Sequence, residues 1–238
     1  MDIDSLTVPA KELYLDYLLG FVTENKISKF ESVVKLRTKK LTIILENIFQ
    51  PHNASAVLRS CDCFGIHDVH IIESKYPFNI NPDVVMGSTK WLNLHKYSNP
   101  GTAVIDCITE LKSKGYSIVA TTPHENDLNI EDLPVDGKLA IIFGTELSGL
   151  SDAVLENADY FMKIPMVGFT ESLNVSVSAA ISLFYLTNKM RNSTTDWQLT
   201  HEEMLNIKIQ WAKRVLKSPE LLEKKYFEDF PDDAINKK

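Results

Sequence analysis

Residues 41–64 read LTIILENIFQPHNASAVLRSCDCF, an apolar run followed by a helical pattern. The run Leu41–Glu46 is rich in apolar and β-branched side chains, which predicts a buried strand. From Ala54 to Phe64, apolar side chains recur at spacings of three and four residues, which predicts an amphipathic helix. A buried strand followed closely by a helix is the repeating unit of a parallel α/β sheet.

The same alternation continues along the chain. Further strands are predicted at 68–72, 92–96, 117–121, 139–143 and 160–164, and further helices at 102–114, 152–157 and 173–190. We therefore expect an α/β fold with a mainly parallel sheet and helices on both faces. Helical patterns at Lys11–Asn25 and Ile27–Arg37, and a capping-box sequence at Thr200–Glu203, predict helical extensions. The expected domains are a basic helical extension (1–40), an α/β domain (41–190) and a second helical extension (191–238).

The composition of the 238 residues argues against several classes of protein. No apolar run approaches the roughly 20 residues of a membrane helix, and the first residues are too acidic for a signal peptide. The three cysteines are too few for a disulfide framework or a four-ligand zinc site, and Cys61 is expected in the core. We therefore expect a cytoplasmic protein with no membrane segment and no bound metal.

The net charge of −7, taken alone, argues against binding to nucleic acid. The charge is unevenly distributed, however, because residues 25–40 carry six basic side chains against Glu31 alone. A second group of basic residues lies nearer the C-terminus: Lys189, Arg191, Lys208, Lys213, Arg214 and Lys217. Two interpretations stay open for these clusters, a solvated helix surface and an RNA-binding surface.

Three segments carry polar residues directly after predicted strands, where the carboxyl ends of parallel strands form ligand sites. They are 47–59, 143–149 and 164–177. Individual residues also have structural interpretations: Asn53 and Ser172 as helix N-caps, Glu146 as a turn carboxylate, Arg59 as a partner of Asp62. The chain contains no G-x-G-x-x-G, P-loop or H-E-x-x-H motif, which excludes the sites that those motifs build.

Together, and in this order, the three segments resemble the SPOUT class of RNA methyltransferases, and within it the TrmH-type tRNA (guanosine-2'-O)-methyltransferases. The matching residues are Pro51-His52-Asn53 with Arg59, Phe143-Gly144-x-Glu146-x-x-Gly149, Ile164-Pro165-Met166 with Ser172–Val177, and Gly87-Ser88 with Trp91. The resemblance covers residues 29–190. It implies that residues 41–190 are the catalytic domain and that the C-terminal part of this domain forms a deep trefoil knot.

The resemblance also implies a reaction, a cofactor and a partner. The cofactor would be S-adenosylmethionine, bound mostly through backbone groups of Thr121, Gly144, Ile164, Met166 and Leu173. The reaction would be methyl transfer to the ribose 2'-hydroxyl of a guanosine in tRNA, at position 18 of the D-loop. The catalytic residues would be Arg59, Asn53, Glu146, Ser172 and Asn174. The chain would be a homodimer paired through its knot region, with the apolar run Ala179–Leu186 supplying part of the surface.

Acid–base chemistry qualifies the implied role of Arg59 as an activator of the hydroxyl. A guanidinium stays protonated in proteins, so Arg59 suits holding a phosphate and stabilising a developing alkoxide better than removing a proton. The resemblance also bears on the substrate: related rRNA guanosine methyltransferases typically carry a separate RNA-binding domain before the first motif, so the short, basic segment before Leu41 favours tRNA over rRNA. The alternatives are a 2'-O-methyltransferase acting on rRNA and a catalytically silent RNA-binding relative. The presence of all five catalytic candidates argues against the silent relative.

Overall fold

The computed structural model describes residues 5–75, 77–123, 127–145 and 148–231. The strands are β1 (Leu41–Glu46), β2 (Asp68–Ile72), β3 (Asn93–Tyr97), β4 (Tyr116–Thr121), β5 (Leu128–Asn129), β6 (Lys138–Phe143) and β7 (Tyr160–Lys163). The helices are α1 (Val8–Leu19), α2 (Glu24–Val34), α3 (Pro51–Phe64), α4 (Pro82–Val85), α5 (Ala103–Ser113), α6 (Asp152–Leu155), α7 (Val175–Arg191), α8 (His201–Val215) and α9 (Pro219–Asp229), with a 3₁₀ turn at Ser88–Trp91. The chain divides into two compact units, Thr38–Trp197, and Met1–Arg37 with Gln198–Lys238.

The strands form one seven-stranded sheet in the order β3-β2-β1-β6-β4-β7-β5, and every neighbouring pair is parallel. The predicted mainly parallel α/β fold is therefore confirmed. The trefoil knot is a property of chain threading, which strand order does not define, and it stays a prediction. Because Leu45 pairs with Phe143 and Ala120 with Ile142, the carboxyl ends of β1, β6 and β4 meet at one edge. The segments that follow these strands build the site described below.

Both faces of the sheet are covered by helices, as expected. Ile43 and Leu45 pack into a core that includes residues of α3 and α7, whereas Ile44 points into a second core with residues of α5 and α6. Alternate side chains of a strand point to opposite faces, so a strand buried on both sides needs apolar residues throughout. This requirement explains the consecutive apolar residues Ile43–Leu45 of β1 and Leu139–Phe143 of β6.

The starts of α3 and α7 correct two of the structural interpretations. Pro51 opens α3, because its fixed φ and missing N–H suit the first turn, and Gln50 is the N-cap. Asn53 is therefore inside the helix and is not its cap. Helix α7 begins at Val175 and is capped by Asn174, whose side chain accepts a hydrogen bond from the Ser176 N–H at 2.9 Å. Ser172 lies two residues before this cap and does not serve as one.

The unit formed by the two chain ends contains the predicted terminal helices as α1, α2 and α8, together with α9. The capping box of α8 is confirmed, with Thr200 and Glu203 bonded reciprocally. Arg37 is buried, and its guanidinium lies 5.5 Å from the ring centre of Trp211. The Lys208 ammonium lies 2.8 Å from a carboxylate oxygen of Glu31. These two basic residues hold the helical unit together, so a solvated or RNA-binding surface is the wrong interpretation for Arg37.

None of the helices in residues 5–75, 77–123, 127–145 and 148–231 is long and apolar enough to cross a membrane. The same part of the chain contains no group of three or more His, Cys, Asp or Glu side chains arranged to hold a metal ion. Cys61 is buried in α3 and Cys63 is exposed.

Stability is expected to fall as the pH is lowered from about 6.5 to about 4, because of His70. The His70 ring stacks on His95 at 4.6 Å, and burial, with a smaller contribution from His95, lowers the pKa of His70 from 6.5 to about 4. As the pH falls, the unfolded chain is protonated at this ring before the folded chain is, so the neutral ring stabilises the fold at pH 7. The free energy of unfolding therefore falls by about 3 kcal/mol between pH 6.5 and pH 4. Urea unfolding at several pH values measures this loss. In His70→Gln the free energy of unfolding should depend less steeply on pH between 6.5 and 4. An unchanged dependence would contradict the assignment of this loss to His70.

Candidate active site

A cavity of about 520 Å³ opens at the carboxyl edge of the sheet, beside the ends of β4, β6 and β7 and the start of α7. Its wall includes all five residues that the resemblance assigned to cofactor binding: Thr121, Gly144, Ile164, Met166 and Leu173. The volume lies within the range of small-molecule sites in proteins. The structure thus brings these five residues together around one space, as expected for strand ends that meet at one edge.

The segment after β6 folds back tightly on itself. Thr145 and Gly149 exchange two backbone hydrogen bonds, of 3.1 and 3.0 Å. A Cβ atom on Gly144 would lie 2.3 Å from the carbonyl oxygen of Gly149, which no real contact allows. The turn itself therefore requires glycine at position 144. The requirement comes from the backbone of the turn itself and does not depend on a ligand.

Thr121 lines the cavity through the end of β4. Its hydroxyl donates a hydrogen bond of 2.8 Å to the carbonyl oxygen of Ile142, on the neighbouring strand β6. This bond occupies the hydroxyl hydrogen and ties the two strand ends together. The hydroxyl oxygen can then only accept a further bond, and the backbone contact that the resemblance implies stays a prediction.

Asn53 and Asn174 form a side-chain pair that joins α3 to the start of α7. The Asn174 Nδ2 donates to Asn53 Oδ1 at 3.1 Å, and the Asn53 Nδ2 donates to Gln50 Oε1 at 2.8 Å. Asn174 Oδ1 in turn accepts bonds from the Ser176 N–H and hydroxyl, at 2.9 and 2.6 Å. Asn53 is only 5% exposed. Both amides therefore have fixed orientations.

The Asn53–Asn174 pair adjoins the cavity. Asn53 lines a small depression together with Thr145 and Val175, and these two residues also line the cavity. Ser172 is exposed and lines the cavity as well. Three of the five predicted catalytic residues thus lie at or beside one space.

The other two predicted catalytic residues are Arg59 and Glu146. Arg59 is exposed on α3, and its suggested partnership with Asp62 stays a prediction. It follows Asn53 by six residues, about 9 Å along the helix axis and on a different side of the helix. Glu146 lies outside the described residues. The structure therefore does not bring Arg59 into contact with Asn53 or Asn174.

Two residues at the end of β1 position the site, and the sequence did not single them out. Asn47 has a positive φ of 53°, and its Oδ1 accepts a 2.8 Å bond from the Lys75 N–H, so that it turns the chain from β1 towards α3. The buried Glu46 carboxylate accepts a 3.0 Å bond from the Ser151 N–H, which holds the segment after Gly149. A polar pair ending an apolar strand is the signal that could have indicated both.

Comparison with known proteins identifies the family of the chain. The SpoU rRNA methylase family matches residues 40–184. A protein of Borreliella burgdorferi named tRNA (guanosine(18)-2'-O)-methyltransferase is 45% identical over 206 residues, covering 87% of this chain and 93% of that protein. The crystal structure of the Aquifex aeolicus TrmH/SpoU tRNA modifying enzyme superposes with a TM-score of 0.72 at 31% identity, covering 82% of this chain and 98% of that one.

The same fold occurs in the SpoU methyltransferase AviRb from Streptomyces viridochromogenes, which was solved in complex with the cofactor AdoMet. That structure is 24% identical, has a TM-score of 0.56 and covers 68% of this chain and 62% of its own. The family match spans more than half of the chain, and the Borreliella relative is similar along nearly its whole length. The chain therefore belongs to the SpoU methylase family.

Proposed function

We propose that the chain transfers a methyl group from S-adenosylmethionine to the ribose 2'-hydroxyl of guanosine 18 in tRNA. The observation that carries this proposal is one cavity, lined by all five cofactor candidates, directly beside the oriented Asn53–Asn174 pair. The substrate follows from the Borreliella relative, whose name specifies the tRNA, the guanosine and the ribose oxygen. A cytoplasmic location, where tRNA is available, is part of the proposal.

The cavity fits the cofactor chemically. Ile164, Met166 and Leu173 supply apolar surface for the flat adenine ring, while Gly144 and Thr121 offer backbone groups. A pocket that recognises its ligand through backbone groups needs no G-x-G-x-x-G motif. When bound, S-adenosylmethionine supplies an electrophilic methyl group on a sulfonium. The protein's task is to place the 2'-hydroxyl in line with that methyl and to stabilise the negative charge that develops on its oxygen.

Two amides and one guanidinium are proposed to position the ribose and to stabilise the developing charge. The amides of Asn53 and Asn174 are pre-oriented at the end of the cavity and can position the ribose without moving. Arg59 carries its guanidinium on an exposed side of α3, where it can hold the phosphate next to the reacting ribose. We therefore assign Arg59 to holding the substrate phosphate and the developing alkoxide, with the proton leaving to the phosphate or to water. Ser172 and Glu146 complete the proposed set.

Incubation of the protein with labelled S-adenosylmethionine separates this function from its alternatives. An unmodified tRNA transcript and a fragment of large-subunit rRNA are offered in parallel. We expect label in the tRNA and none in the rRNA fragment. Label in the rRNA alone would overturn the tRNA assignment. Cofactor binding without label in either RNA would favour the catalytically silent relative.

We further propose that the chain acts as a homodimer, paired through α7. Within the apolar run Ala179–Leu186, the side chains of Ala179, Leu183 and Leu186 are buried in the chain's own core, while Ile181 and Phe184 are exposed. Val177, one turn earlier, is exposed too and extends them into an apolar stripe. A solvent-facing stripe of this kind is typical of a subunit interface.

Light scattering is expected to give twice the 27.0 kDa mass of one chain at micromolar concentration. Ile181→Glu should shift the mass to that of a single chain, because a buried unpaired carboxylate opposes pairing. The matched control is Leu221→Glu, at an exposed leucine of α9, which should leave the mass unchanged. A single-chain mass for the unaltered protein would contradict the dimer.

The exposed basic residues before β1 are expected to supply affinity for tRNA. Lys35, Lys39 and Lys40 are exposed or half-buried, whereas Arg37 is packed on Trp211 and is left intact. Replacing the three lysines by alanine should weaken tRNA binding and flatten its salt dependence, because fewer counterions are released. Binding titrations at several salt concentrations measure both effects.

The matched control for this test replaces Lys112 and Lys114. Both side chains are about half-exposed, and each makes a surface ion pair, with Asp159 and Glu110 respectively. Their replacement by alanine should leave the salt dependence unchanged. An unchanged salt dependence in the triple lysine variant would mean that the cluster before β1 is only a solvated surface.

A further inference from the structure

The hydroxyl of Ser182 on α7 is buried at the wall of the cavity without a hydrogen-bond partner. The residue is 1% exposed and lines the cavity, and its Oγ has no hydrogen-bond partner among the described residues. By contrast, the buried Thr187 hydroxyl on the same helix donates to the carbonyl oxygen of Leu183 at 2.7 Å. A buried hydroxyl without a partner opposes folding, so its presence at a ligand cavity points to a partner that the ligand brings.

Ser182 belongs to a stripe of α7 that faces the cavity. Val175, Ser178 and Ser182 follow one another at spacings of three and four residues, and all three line the wall. Ser182 lies eight residues after Asn174, which corresponds to about 12 Å along the helix axis. The reacting methyl must lie near the Asn53–Asn174 pair, so Ser182 faces the part of the ligand that is remote from the methyl.

The chemistry of the wall indicates which part of the cofactor this is. The remote part is either the nucleoside or the charged amino-acid group. No Lys or Arg that could pair with the carboxylate of the amino-acid group is among the described residues of the wall, and the one charged side chain there, Glu171, could pair only with its ammonium. Apolar neighbours with single hydroxyls suit a neutral, flat nucleoside instead.

We propose that the Ser182 hydroxyl hydrogen-bonds to the adenosine half of S-adenosylmethionine. This inference rests on the proposed function, because it takes the cavity to be the cofactor site. It adds one side-chain contact, from the middle of α7, to a pocket that otherwise recognises the cofactor through backbone groups at the strand ends.

Ser182→Ala tests this contact, measured by calorimetric titration with two ligands. S-adenosylhomocysteine contains both halves of the cofactor, and 5'-methylthioadenosine lacks the amino-acid part. We expect both dissociation constants to rise by the same factor, about three- to tenfold, as for the loss of one hydrogen bond. The thermal midpoint of the empty protein should stay constant or rise, since the change removes a hydroxyl that has no partner there.

The matched control is Thr187→Val, which removes a satisfied hydroxyl one turn further along α7 and should leave both dissociation constants unchanged. Dissociation constants for Ser182→Ala within twofold of the unaltered protein would overturn the inference. A loss confined to S-adenosylhomocysteine would overturn it too, because the contact would then be with the amino-acid half. If the unaltered protein binds neither ligand, the proposed function itself fails, and the inference fails with it.

Discussion

Arg59→Lys is expected to lose methyl transfer at every pH between 7 and 10, by about a hundredfold or more, and Arg59→Ala to lose at least as much. A guanidinium offers a planar fork of donors that matches two oxygens of a phosphate, whereas lysine offers a single point of charge. A lysine that acted as a base would become more active as the pH approached its pKa near 10.4. A phosphate-gripping role predicts no such recovery.

The measurement is the rate of methyl transfer to intact tRNA as a function of pH for the three proteins. Thermal unfolding and cofactor affinity serve as controls. Both should be unchanged, because Arg59 is exposed and does not line the cavity. A Lys variant with near wild-type rates at pH 10 would show that Arg59 removes the proton.

Gly144→Ala is expected to weaken cofactor binding at least about tenfold. The new Cβ would meet the backbone of Gly149 at 2.3 Å, and because backbone cannot swing aside as a side chain can, the turn must open. The opened turn would displace several residues of the cavity wall at once, Thr145, Ser148 and Gly149 among them. Titration with S-adenosylhomocysteine measures the loss.

Gly137→Ala provides the matched control, since a Cβ at position 137 meets no atom within 4 Å. It lies next to the start of the same strand β6, at the end remote from the cavity. We expect its cofactor affinity to equal that of the unaltered protein. Equal affinity in Gly144→Ala would mean that the turn adapts without disturbing the pocket.

The central sheet could be predicted from the sequence because its signal is local. A strand buried on both faces needs consecutive apolar residues, and Ile43–Leu45 and Leu139–Phe143 show this directly. A helix begins at a different residue from the one predicted where a single residue determines its start more strongly than the spacing of the apolar residues does. Pro51 starts α3 three residues earlier than the apolar pattern, and with this shift Asn53 changes from a cap to an internal, buried amide.

The residues that position the site could not be predicted in the same way, because they act between distant segments. The role of Glu46 depends on the Ser151 N–H, which is 105 residues away in the chain. Arg37 is one of six basic residues in a charged stretch, and only the packing of Trp211 distinguishes it as a core residue. The unpartnered hydroxyl of Ser182 is likewise invisible in a sequence that places it within an ordinary apolar helix.

Mapping the methylated atom tests the proposed reaction. The protein is incubated with S-adenosylmethionine and an unmodified tRNA transcript, and the product is digested with nucleases and analysed by mass spectrometry. We predict 2'-O-methylguanosine at position 18, and no further methyl group in a transcript that already carries this modification. The proposed reaction would be contradicted by a methyl group on a base or on another nucleotide. It would also be contradicted if the protein binds the cofactor but transfers no methyl group to tRNA.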